Sequence, residues 1–145
     1  MKRPPGVVIL GILCIFAGGG SLLTPLDSRP ILFFGVLHSG VKAYVLHIVP
    51  NIVKLYMGYG LLKPLRHVWY LYLMVAGVSI ISLSLNVLHE SKIWELYLLL
   101  QSKVESIPRL VTFAIETHYL LIAIYTLTAM YIYLHKNYFW GEPEL

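Results

Sequence analysis

"VWYLYLMVAGVSIISLSLNVL" (68–88) holds no charged residue from end to end. As a helix rising 1.5 Å per residue it would cover about 30 Å, the thickness of bilayer hydrocarbon. Three further stretches read the same way: roughly 5–23, 41–62 and 110–134. Prolines in "TPLDSRP" and "KPLRH" end the first two. Only a helix satisfies its own backbone within one lipid-embedded segment. The expected fold is therefore all-α: a polytopic membrane four-helix bundle forming a single membrane domain over 1–145.

Composition agrees. The chain is 58% hydrophobic and 12% charged, about half the charge fraction of a soluble domain. The net charge of +4 is spread along the chain, and no nucleic-acid-reading motif occurs. The single cysteine, Cys14, excludes an intramolecular disulfide. The N-terminal run is longer than a signal-peptide core, and "GGGSLLTP" is a poor cleavage site, so it reads as a retained span.

Two segments do not read as spans. "ILFFGVLHSG" (31–40) is too short to cross. It reads either as an interfacial or re-entrant piece or as an outward extension of the second helix. Segment 90–107 carries Glu90, Lys92, Glu95, Lys103 and Glu105, with Ile93, Leu96, Tyr97, Leu100, Val104 and Ile107 at helical spacing. That pattern predicts an amphipathic interfacial helix between spans 3 and 4, with Pro108 separating it from the last span.

The polar residues fall on stripes. Span 2 aligns Gly40, Tyr44, His47, Asn51, Lys54 and Gly58, with Pro50 set to kink the helix. Span 3 aligns Tyr72, Val75, Ser79, Ser82, Asn86 and His89; span 4 aligns Thr112, Glu116, Tyr119, Ala123, Thr126, Met130 and Tyr133. Span 1 shows a small face, Gly11, Cys14, Gly18 and Ser21, suited to close helix approach. From the expected outer ends, His47 and Glu116 lie at about 8 Å and Lys54 at about 18 Å, with Asn51 and Tyr119 between. A buried polar cluster of His47, Asn51, Lys54, Glu116 and Tyr119 is the candidate binding or interhelical site. A mid-membrane lysine needs a partner, and Glu116 is the expected one. No catalytic residues are expected, because no Ser/His/Asp or Cys/His arrangement is present; the balance leans against an enzyme without closing that question.

"KRPPGVVILGILCIFAGGGSLL" and "GYGLLKPLRHVWYLYL" resemble an uncharacterised family of small four-span prokaryotic membrane proteins. The resemblance covers about a quarter of the chain. It implies four spans with both termini on one side, and carries no activity or functional residue. The charged 90–108 segment and Lys54 depart from that pattern.

The leading functional expectation is an accessory or scaffold subunit acting through helix–helix contacts in a membrane complex. Its partners would be the lipid bilayer and other membrane subunits or further copies of itself, with no nucleic acid. The alternative is a channel or small-solute or proton transport element built on the Lys–Glu–His cluster. A third is a membrane redox subunit holding haem b or a metal ion, with His47 and His118 as ligands; otherwise no cofactor is expected. Lys/Arg counts tie between the two expected faces. Lys2 and Arg3 before the first span favour both termini in the cytoplasm. The resemblance implies a prokaryotic cytoplasmic membrane.

Overall fold

The computed structural model describes residues 3–23, 29–100 and 106–141. The fold is all-α apart from one small hairpin. In chain order it runs α1 (Pro5–Leu23), β1 (Ile31–Phe33), β2 (Val36–His38), α2 (Gly40–Leu62), α3 (Arg66–Leu88), α4 (Glu90–Leu100), α5 (Ile107–Leu134) and α6 (Lys136–Trp140). Helices α1, α2, α3 and α5 are each long and apolar enough to cross a membrane. By length and composition this is a multi-pass membrane chain.

Prolines set several helix boundaries. Pro5 opens α1, where its missing N–H costs nothing. Pro64 sits in the tight turn after α2, which Leu65 closes by donating to the Gly60 carbonyl at 3.2 Å. Pro108 lies in the first turn of α5. The same first-turn tolerance lets α5 start at Ile107, three residues before the expected 110.

The chain forms two compact units. The first comprises Met1–Leu26, His47–Ala76 and Leu127–Leu145; the second comprises Asp27–Leu46 and Gly77–Thr126.

In the first unit α1 meets α2 backbone to backbone. A Cβ on Gly18 would lie 2.6 Å from the Asn51 carbonyl oxygen, and one on Gly58 would lie 2.6 Å from the Gly11 carbonyl oxygen. Gly11 and Gly18 of the small face of α1 therefore pack against α2 as their spacing predicts. Without a hydrophobic drive between helices in lipid, such close approach supplies the packing energy. Elsewhere in this unit, Trp69 on α3 donates its indole N–H to the Ile132 carbonyl at 3.0 Å. The Tyr138 hydroxyl of α6 donates to the Leu61 carbonyl at 3.4 Å.

The second unit holds the hairpin. β1 and β2 pair antiparallel, Ile31 with His38 and Phe33 with Val36. Phe34 (φ 51°) and Gly35 (φ 71°) form the two-residue turn. Two consecutive positive φ values are the signature of a type I′ turn, whose twist suits a hairpin. Segment 31–40 is thus not an extension of the second helix, because this turn reverses the chain before α2 begins at Gly40. Leu32 joins Ile93, Ile107, Val111 and Ala114 in a small apolar core, flanked by Trp94, Leu96, Tyr97 and Ile115. The apolar side of α4 is thereby turned toward the hairpin and the start of α5. Lys103, Val104 and Glu105 of the expected amphipathic segment lie outside the described residues.

Candidate functional site

The stripe on α2 is organised around Pro50. Its ring cannot donate to the carbonyl four residues earlier, so the helix ladder is interrupted there. Asn51, 6% exposed, covers the neighbouring carbonyl: its amide nitrogen donates to the His47 carbonyl oxygen at 2.8 Å. Its amide oxygen accepts from the Lys54 ammonium at 3.4 Å. A buried side-chain amide is thus used at both ends, as it must be to avoid a desolvation penalty. Within the first unit, then, Asn51 and Lys54 touch through their side chains, and His47 joins through its backbone. Lys54 is half-buried and reaches a neutral acceptor on its own helix.

Glu116 and Tyr119 belong to the second unit, and both are exposed. Glu116 borders a shallow groove of about 320 Å³ along α5, together with Pro108, Arg109, Thr112 and Phe113. The Thr112 hydroxyl donates back to the Pro108 carbonyl at 3.0 Å, and Phe113 is 65% exposed. The rest of the expected α5 stripe, from Ala123 through Thr126 and Met130 to Tyr133, is exposed as well.

The polar stripe of α3 has a different task, which sequence reasoning did not reach. Ser82 and Asn86, one turn apart and both buried, hold the hairpin turn. The Phe34 N–H donates to the Ser82 hydroxyl oxygen at 3.1 Å. The Gly35 N–H donates to the Asn86 side-chain oxygen at 2.8 Å, and the Asn86 amide nitrogen donates to the Leu32 carbonyl at 3.2 Å. These turn amides lie outside the strand ladder and, once buried, require acceptors. A Cβ on Gly35 would lie 2.7 Å from Nδ1 of His89, so the turn also rests on that ring. The serine and asparagine spacing on span 3 was the available signal. It announced a polar face but not its occupant.

Three of the six histidines bond their own helices. Nδ1 of His118 lies 2.7 Å from the Ala114 carbonyl, Nδ1 of His89 2.8 Å from Leu85, and Nδ1 of His135 2.9 Å from Tyr131. A carbonyl oxygen only accepts, so Nδ1 is the donor in each contact. Among the described residues no three or more His, Cys, Asp or Glu side chains come close enough together to hold a metal ion. Outside the spans, burial pushes the Tyr138 phenol pKa up, and the nearby Arg3 charge draws it partly back.

By length and composition this is a helical, multi-pass membrane chain, and a small hairpin packs with α4 and the start of α5. No family model matches the chain, and no curated protein or solved structure shows significant similarity to it. No activity or site residue therefore transfers from a known protein.

Proposed function

We propose that this chain is a small subunit of a membrane complex that acts through helix–helix contacts. Its spans form a bundle, and both termini lie in the cytoplasm of a prokaryotic cell. The observation that carries the reading is the outward stripe on α5, with Thr112, Glu116, Tyr119, Ala123 and Thr126 all exposed on a span-length helix. A carboxylate facing hydrocarbon is costly, and a partner helix with a hydrogen-bond donor relieves that cost. The small side chain of Ala123 lets such a helix approach. In the same reading α4 rides at the outer interface, with the exposed Leu98 and Leu99 toward lipid.

The test is site-directed cross-linking in native membranes. A photo-reactive residue at Ala123 should capture a membrane protein or a second copy. The same probe at Met74, exposed on α3, should give lipid adducts only. Lipid adducts alone at both positions would sink the proposal.

A transport element is the second reading, favoured by the half-buried Lys54–Asn51 pair beside the Pro50 kink. The Lys54→Met variant separates the two. Loss of a solute or proton flux with assembly intact selects transport, whereas loss of assembly selects the subunit reading.

A further inference from the structure

Arg3, Lys63, Arg66 and Lys136 are all exposed, and all belong to the first unit. No carboxylate accompanies them among the described residues of that unit. In the second unit the contrast is plain: Lys92 is bonded to Glu95 at 2.6 Å. Several contacts draw these cations around α6. Tyr138 ties that helix to Leu61, two residues before Lys63. Arg66 donates one guanidinium N–H to the Trp140 carbonyl at 3.3 Å, and a guanidinium carries four further N–H donors. Arg3 lies near enough to Tyr138 for its charge to act on the phenol. The Lys63 ammonium sits 4.9 Å from the centre of the Tyr59 ring.

An aromatic shelf borders these cations. Trp140 packs edge-on against Trp69 at 5.3 Å and against Tyr70 at 5.9 Å. Tyr70 is 59% exposed and Tyr59 48% exposed. Amphipathic rings of this kind settle at the headgroup level of a bilayer. A soluble anion would use the cations and gain nothing from the rings. A phospholipid offers a phosphate to the first and glycerol and acyl carbons to the second.

We propose that the surface formed by Lys63, Arg66 and α6 binds the phosphodiester headgroup of an anionic phospholipid. Guanidinium and ammonium donors complement the headgroup oxygens, and juxtamembrane Lys/Arg clusters attract anionic lipid. The inference rests on the reading of the chain as a membrane protein, and does not depend on what α5 contacts.

The experiment uses the full-length chain in nanodiscs of equimolar phosphatidylglycerol and phosphatidylcholine, released for native mass spectrometry. Wild type should retain phosphatidylglycerol preferentially. The double variant Lys63→Gln/Arg66→Gln should lower the retained ratio by about thirtyfold, the scale expected from losing two headgroup-facing charges. Its circular dichroism should stay that of wild type. Equal retention of both lipids by wild type overturns the proposal, and so does an unchanged ratio in a folded variant. If the variant misfolds, wild type decides alone. Its thermal midpoint should rise in phosphatidylglycerol relative to phosphatidylcholine, and equal midpoints overturn the proposal. Displacement of the retained lipid by millimolar inorganic phosphate would reassign the surface to free phosphate. Failure to insert into nanodiscs of either lipid takes down the membrane reading itself, which is a distinct result.

Discussion

In the first unit, helices meet where side chains are missing: Gly18 lies against the Asn51 carbonyl and Gly58 against that of Gly11. In the second, the hairpin is held by side chains that are present and polar, Ser82 and Asn86 on the two turn amides and on Leu32. The difference follows from the solvent each arrangement suits. Between spans, lipid is as apolar as any side chain, so attraction must come from close backbone contact. At a hairpin, two turn amides are left over from the ladder, and burying them demands fixed acceptors.

That contrast can be broken from either side. The largest effect belongs to Gly58→Leu. Its side chain would overlap both the Gly11 carbonyl and Ile15, whose Cγ1 lies 2.6 Å from where a Cβ would sit. A loss of about 3 kcal/mol is expected, read as early unfolding in a detergent titration, because backbone cannot yield as a flexible side chain can. Wild-type behaviour would show that α1 and α2 do not meet as described.

Asn86→Ala comes next. It leaves the Gly35 N–H and the Leu32 carbonyl without their buried partner, at a cost of about 2 kcal/mol. Hydrogen exchange at the Gly35 amide should accelerate, while amides of α1 stay protected. Equal acceleration in both places would mean that the two units do not differ in how they are held.

Gly35→Ala tests the turn itself. Its φ of 71° disfavours a Cβ, and His89 blocks the space. The expected loss is about 2 kcal/mol, falling to about 1 kcal/mol in a His89→Ala background, where only the backbone strain remains. The same loss in both backgrounds would remove His89 from the account.

Lys92→Met gives the smallest change. The pair with Glu95 spans 2.6 Å, but both side chains are close to half exposed. Solvent screening leaves roughly 0.3 kcal/mol. A thermal midpoint lowered by several degrees would show that this exposed pair is stronger than its setting implies.

Legibility in the sequence varied with the kind of signal. The spans were legible because apolar length is a local property: α1 has the expected bounds, and α2 and α3 differ from theirs by one or two residues at the start. The small face of α1 was legible because glycine spacing reports close packing directly. The hairpin was not legible. Its turn residues, Phe34 and Gly35, are not the usual Asn-Gly or Asp-Gly pair, and strands of three residues carry no readable alternation. Asn51 and Lys54 were legible as one face of a helix, and their mutual hydrogen bond is a local i, i+3 contact.

The sequence by itself determined a chain with four membrane-length helices, since apolar length and proline punctuation suffice for that. Only the tertiary structure decided what the polar face of α3 holds. Its partner is chosen by a contact distant in sequence. Asn86 received a hairpin turn from 51 residues away, while Glu116 on α5 stays exposed.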